Sequence, residues 1–254
     1  MNHYKKIIDF SKKLIDTLDL DPTYVMLYGA KKDGVFDDIG LKRWILAYMY
    51  CYHAGITSTI ASAPSVEEYW NRLRKADNEW HDRLFGSERR KGTRFLDGIE
   101  VMTKTFLNPE DAIDSLGEGT YSEISQKIGN WKHFGGWAQF KLADIMERVL
   151  EIPVKFSWDD LSHKAEDFEF VYPGKSIEEG GKELLSHLSE YKAPPRFERP
   201  LGISECETCI CKFVSMCKRK YHIGKDIHEI SEALNFELGF NPLAKKLRKY
   251  LPGN

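Results

Sequence analysis

The sequence predicts a mainly α protein, and three observations carry that expectation. Apolar residues recur at helical spacing along most of the 254 residues, capping signatures precede several of these runs, and strand-like stretches are few and short. Residues 3–18 place Ile7, Ile8, Phe10, Leu14, Ile15 and Leu18 at helical spacing among basic residues. Residues 38–54 read as a buried helix that Asp38 caps, that Leu41, Trp44, Ile45, Tyr48 and Met49 pack, and that Gly55 ends. Ser65-Val-Glu-Glu opens a helix carrying Trp70, Leu73 and Ala76, and Pro109-Glu-Asp-Ala opens a short one. Further helices are expected over 122–128, 137–150, 176–188, 204–218, 227–234 and 242–251, with strands around 154–158 and 168–172.

Composition narrows the function classes. With 42% hydrophobic and 13% aromatic residues the chain can bury a substantial core, so disorder is excluded. No apolar run is long enough to cross a membrane. The start, Met1-Asn-His-Tyr-Lys-Lys, lacks a signal-peptide core, and Asp9 and Asp16 argue against a transit peptide, so a cytoplasmic protein is expected. Lys+Arg 37 against Asp+Glu 39 leaves a net charge of −2, so any contact with nucleic acid must come from local patches. The Pro-rich stretch Ala193-Pro-Pro-Arg-Phe-Glu-Arg-Pro200 suggests a helical core over 1–192 and a C-terminal helical segment over 193–254 packed on it.

Basic residues cluster in three places. Between Arg72 and Arg94 eight bases, among them Arg89, Arg90 and Arg94, face four acids. Lys212, Lys218, Arg219, Lys220 and Lys225 form a second group, and Lys245, Lys246, Arg248 and Lys249 a third. Such runs are commonly solvated helix faces, but three of them in a near-neutral chain fit a phosphate-binding face.

The most informative stretch runs from Ile128 to Leu150. A helix ends at Gly129, a turn containing Lys132 follows, and Gly135-Gly136 leads into a second helix. Glycines permit close backbone approach, and the helix start offers free N–H groups to a phosphate. Trp137, Lys141, Asp144 and Arg148 share one stripe of this second helix, where Asp144 and Arg148 can form a surface ion pair or part of a site.

Residues 122–150 resemble the helix-hairpin-helix of the DNA glycosylase superfamily. In that resemblance Gly135 matches the second hairpin glycine, and Asp159 and Asp160 are the downstream carboxylates in phase with the catalytic Asp. His133 replaces the first glycine, and Trp137 stands where bifunctional glycosylases carry a Schiff-base lysine, which argues against lyase chemistry.

A closer resemblance spans most of the chain. Glu88-Arg-Arg with Arg94-Phe95, the run Phe134-Gly-Gly-Trp-Ala-Gln-Phe-Lys-Leu-Ala-Asp-Ile-Met-Glu-Arg-Val149, Phe156-x-x-x-Asp160-Leu161, Glu207-Thr-x-x-Cys-Lys212 and Tyr221-x-Ile-Gly-Lys-Asp226 are similar to the bacteriophage amino-acid:DNA transferases and glutamyl/putrescinyl-thymine pyrophosphorylases. These enzymes hypermodify thymine and are related to the glycosylases. The resemblance implies double-stranded DNA as substrate, an activated 5-hydroxymethyluracil base flipped from the duplex, an amine or amino-acid donor, displacement of phosphate or pyrophosphate, and the host cytoplasm as the place of work. It implies Asp160 as the group that deprotonates the amine, with Asp159, Asp144 and Lys141 beside it as catalytic candidates. Lys141, Arg148 or Lys225 would meet the leaving group. Arg89, Arg90, Arg94, Lys132, Gly135, Gly136, Arg148, Lys212 and Lys225 would hold phosphates, and Trp137, with Trp158, would wall the base pocket. Two other readings stand beside it: a glycosylase that cleaves the base–sugar bond, and a non-catalytic hairpin module that binds DNA.

Cys206, Cys209, Cys211 and Cys217 crowd into twelve positions. Four thiolates are the number taken by zinc or an iron–sulfur cluster. Some glycosylases carry a four-cysteine cluster after the hairpin; the last gap agrees with theirs and the first two differ. Metal or cluster binding and plain buried thiols are both open.

Overall fold

The computed structural model describes residues 3–80, 94–236 and 241–253, with backbone alone for Arg94 and Phe95. The described residues form fourteen α-helices and one two-stranded sheet, so the mainly α expectation holds. Helix α1 (His3–Asp16) is followed by α2 (Pro22–Lys32), which the sequence pattern did not single out. Helix α3 (Asp38–Cys51) has nine of its fourteen residues buried, with Trp44 stacked on Tyr48 at 4.9 Å. Its cap is Asp37, one residue before the expected Asp38, because the Asp37 carboxylate accepts the Gly40 N–H at 2.6 Å.

Gly55 does not end α3. The chain turns at Tyr52, in the left-handed region at φ 47°, and Gly55 lies in the first turn of α4 (Ala54–Ala61). Any side chain there would overlap the Ala233 carbonyl oxygen, so Gly55 allows a close helix crossing. Ser65 caps α5 (Val66–Glu79) as expected, through its hydroxyl and the Glu68 N–H at 3.1 Å. Then come α6 (Arg94–Thr105) and α7 (Pro109–Asp114).

Two helices joined by a turn form over the stretch read as a hairpin. Helix α8 (Tyr121–Gly129) opens on a Thr120–Glu123 capping box, residues 130–135 turn, and α9 (Gly136–Ile145) packs back against α8. His133 takes φ 69° in that turn. The second helix then widens into a π turn, Met146–Leu150. Gly119–Thr120 pairs in parallel with Val154–Lys155, so this small sheet ties the start of the hairpin to its exit.

The stretch 168–172, expected as a strand, is instead part of α10 (Ala165–Val171), which follows a 3₁₀ segment, Trp158–Lys164. Phe168, Val171 and Tyr172 are buried at i, i+3, i+4 spacing, a pattern a five-residue window does not separate from a strand. Helices α11 (Ile177–His187), α12 (Ile203–Cys217), α13 (Lys225–Asn235) and α14 (Pro242–Arg248) complete the chain. Helix α12 packs on α1 and α10, and residues from both sides of position 193 share one hydrophobic cluster. Asp19, fully buried, accepts from the Tyr221 hydroxyl and from the N–H groups of Gly224 at 2.7 Å and Ile227 at 3.3 Å. Among the described residues no helix is long and apolar enough to cross a membrane.

Candidate active site

The stripe Trp137, Lys141, Asp144, Arg148 faces protein rather than water. It meets the chain just before α2, and the result is a charge cluster enclosed by four separate segments. Arg148 is 0% exposed, and its guanidinium donates to Asp21 at 2.5 Å, to Asp144 at 3.4 Å and to the Pro194 carbonyl at 2.6 Å. Its Nε lies 3.1 Å from Glu205 of α12. Asp21 stands at the N-cap position of α2 yet makes no capping bond; its other oxygen takes Lys141 at 3.2 Å. The Tyr24 ring lies under both cations, 4.0 Å from Lys141 Nζ and 4.7 Å from Arg148 Cζ. Arg199 closes the outer side on Glu205 at 2.7 Å and Glu147 at 3.0 Å, and Arg196 also pairs with Glu147.

A charge without water costs several kcal/mol unless paired, on the order of what breaking one such pair loses. The cluster meets this cost by setting carboxylates against every buried cation. The pairing is uneven. Burial, with the charges of Asp21 and Glu205, pushes Asp144 up to about 6, and Arg148 at 3.4 Å and Lys141 offset it only in part. Burial also acts on Asp21, but Lys141, Arg148 and Lys212 outweigh it and hold this carboxyl at about 2. Two acids in one site with values pushed apart is an arrangement suited to acid–base work. Lys141, with 15% of its side chain exposed against 0% for Arg148, is the more open of the two cations on Asp21.

A second group lies across α12. Asp160 is half-buried and accepts the Ser157 N–H at 2.7 Å, closing a capping box on the 3₁₀ segment, while Asp159 is exposed. Burial, with the charges of Asp160 and Glu207, pushes the nearby Tyr121 hydroxyl up to about 12. Glu207 pairs with Lys164 at 3.2 Å and accepts from the Cys211 thiol at 3.0 Å.

No protein-family profile matches the chain. Two curated phage proteins do, along nearly all of it. A glycinyltransferase of Pseudomonas phage PaMx11 is 29% identical over 272 aligned positions, covering 91% of this chain and 91% of its own length. A putrescinyltransferase of Delftia phage PhiW-14 is 25% identical over 269 positions, covering 96% of this chain and 82% of its own. The chain is a transferase, similar along nearly all of its length to these two phage enzymes.

Within the transferase the expected residues divide. Lys141, Asp144 and Arg148 come together, but Arg148, expected on a phosphate, is sealed among carboxylates, and its pair with Asp144 is internal rather than on the surface. Lys212 also turns inward, 2.5 Å from the Asp19 carbonyl oxygen and from Asp226. Lys225 donates to the Lys220 carbonyl at 2.7 Å and lies 3.6 Å from Glu229, and Lys132 pairs with Asp97 at 3.1 Å. Gly135 and Gly136 have open space where side chains would project, as a phosphate-binding turn needs. Trp137 is half-buried with Tyr52 edge-on at 5.2 Å, whereas Trp158 lies against the backbone of Gly181. Arg89 and Arg90 lie outside the described residues, as does the side chain of Arg94.

The four cysteines do not fit a metal or cluster. One unbroken helix carries them all, and the twelve residues from Cys206 to Cys217 span roughly 16 Å of axis. Cys206 and Cys209 are buried, with burial holding the Cys209 thiol at about 12, and Cys217 is exposed. Among the described residues no three His, Cys, Asp or Glu side chains stand together as a metal site. The sequence reading missed Asp21, Tyr24, Glu205 and the 193–200 loop, which it took for a boundary although its Pro194 carbonyl holds Arg148.

Proposed function

We propose that the transferase attaches an amino acid or amine to an activated 5-hydroxymethyluracil in double-stranded DNA and displaces phosphate or pyrophosphate. One observation carries this reading: the chain is similar, nearly end to end, to two transferases whose names differ in the amine, glycine in one and putrescine in the other. What such proteins share then concerns the acceptor and its leaving group, while the donor varies.

The site residues support the chemistry. Residues 121–145 have the helix–turn–helix order of a glycosylase hairpin, and the Ser157–Asp160 segment follows it with a carboxylate a few residues further on than in that family. The open backbone at Gly135-Gly136 suits a DNA phosphate beside a flipped nucleotide, with Trp137 on the pocket wall. Lys141, fixed by Asp21 and Tyr24, presents a cation to the departing oxygens. Asp160, half-buried at the surface, takes the proton from the donor ammonium. Asp144, sealed behind Lys141, sets that lysine's charge environment. The work takes place in the host cytoplasm.

The test is mass spectrometry of nucleosides from DNA containing pyrophosphorylated 5-hydroxymethyluracil, incubated with the protein and a pool of amino acids and polyamines. A thymidine adduct heavier by one amine is the expected result and identifies the donor. Abasic sites would replace this reading by a glycosylase, and unchanged nucleosides with tight binding by a DNA-binding module.

A further inference from the structure

Of the four cysteines on α12, Cys211 is the one whose thiol is hydrogen-bonded to a carboxylate. The Cys206 thiol meets the Gly181 carbonyl oxygen instead, at 3.9 Å. Cys211 and Glu207 are one turn apart and face the 3₁₀ segment. The Cys211 Sγ donates to Glu207 Oε1 at 3.0 Å, and Lys164 Nζ lies 3.2 Å from the same oxygen. Asp167 Oδ2 is 3.8 Å away. The group is not sealed: Lys164 is 23% and Glu207 11% exposed, and Cys211 is half-buried. Burial pushes the thiol well above its usual range, so it rests protonated with a base already on its hydrogen. The charges of Asp160 and Glu207 both act on the Tyr121 hydroxyl, which puts that hydroxyl within electrostatic reach of each. A nucleophile, an adjacent base and a cation pairing that base thus share one open-sided neighbourhood with the proposed amine base.

We infer that Cys211 is a covalent nucleophile that adds to C6 of the target pyrimidine, with Glu207 accepting the thiol proton. The inference rests on the acceptor proposed above and deepens it. In a uracil ring C6 is conjugated with the C4 carbonyl, so the 5-methylene leaving group can depart without direct displacement. As the S–C6 bond forms, the C5–C6 π electrons move to the C4 oxygen as an enolate, and the thiol proton passes to Glu207. The enolate then collapses, the C–O bond of the 5-methylene breaks, and phosphate or pyrophosphate leaves with that electron pair, giving an exocyclic C5=CH2. The donor amine adds to the CH2 carbon and loses a proton to Asp160, regenerating the enolate. Its collapse expels the sulfur from C6, restores the C5–C6 double bond, and the thiolate recovers its proton from Glu207. No electron is gained or lost overall.

The experiment compares the wild type with C211A, C211S, E207Q and, as a control at an exposed cysteine, C217A, in single turnover on the pyrophosphorylated DNA. Circular dichroism and DNA binding verify that each variant is folded. Both Cys211 variants are expected to lose a factor on the order of 10³ in rate, E207Q about 10²–10⁴, and C217A nothing. Deuterium at C6 should give an inverse isotope effect, since that carbon becomes tetrahedral. With the amine omitted, a protein–DNA adduct resistant to denaturation should form in the wild type and not in C211A. A wild type that transfers amine while C211A or C211S stays within about threefold of it, or an isotope effect of unity, overturns the nucleophile. A wild type that transfers nothing overturns the acceptor reading, and the inference with it. Should C211A not fold, C211S and E207Q decide the matter through the same rates and isotope effect.

Discussion

Replacing Asp144 by Asn removes a charge that the folded state holds against its own interior. Burial raises this carboxyl from 3.8 to about 6. At about 1.36 kcal/mol per pH unit, keeping it ionised at neutral pH lowers stability by about 3 kcal/mol. The sign is opposite to that of an ordinary salt-bridged acid. The folded state binds the proton more tightly than the unfolded chain, so stability falls as pH rises from about 4 to about 6 and is level above that. D144N leaves Arg148 with Asp21 and Glu205, so no cation is stranded. The variant is therefore expected to exceed the wild type by up to about 3 kcal/mol above pH 6.5, with the gain shrinking toward zero near pH 4. Urea unfolding of both proteins across this range measures the difference directly. A difference that does not change with pH, or a D144N protein less stable than the wild type at pH 7, refutes the reasoning.

Three further outcomes follow from the same geometry. R148M empties the centre of the cluster and leaves three buried carboxylates facing one another; it should lose more than about 3 kcal/mol, read as a lower midpoint in thermal unfolding. G136A adds a methyl group where there is open space and favours the helix, so stability should stay level or rise by up to about 1 kcal/mol. Its affinity for DNA should nevertheless fall, and equal affinity by anisotropy would remove the hairpin turn from the phosphate contact. D160N weakens a capping box and should cost about 1 kcal/mol, while DNA binding persists and transfer is abolished; retained transfer would confine Asp160 to its capping role.

The sequence placed the helices on either side of the 130–135 turn, the stripe on the second of them and the cysteine-bearing helix close to where they stand, because helical periodicity and capping are local. It did not reveal that the stripe is internal. An Asp and an Arg four residues apart look the same on a wet face and a buried one, and the answer depends on what packs opposite. Here that is Asp21 and Tyr24, and Asp21 before Pro22 reads as an ordinary N-cap. Glu205 was equally hidden, since its i+3 position fits a capping box on Gly202 as well as a partner for Arg148. Of the two readings left open for the cysteines, the helix favours plain thiols, since close spacing in sequence becomes a rod when the segment is helical.

The Asp19 and Asp21 contacts bear on how the enzyme comes into being. Asp19 bonds Tyr221 across 202 positions of chain, and Asp21 bonds Arg148 across 127. A nascent chain that has emerged only as far as the hairpin can form α2 and α9 and bring Lys141 to Asp21, but Glu205, which completes the shell around Arg148, arrives later, and the partners of Asp19 later still. Closing such distant contacts is the slow, entropically costly part of folding. The charge cluster is therefore finished only once the segment that carries Glu205 has been made, and activity should not appear on nascent chains that stop short of it.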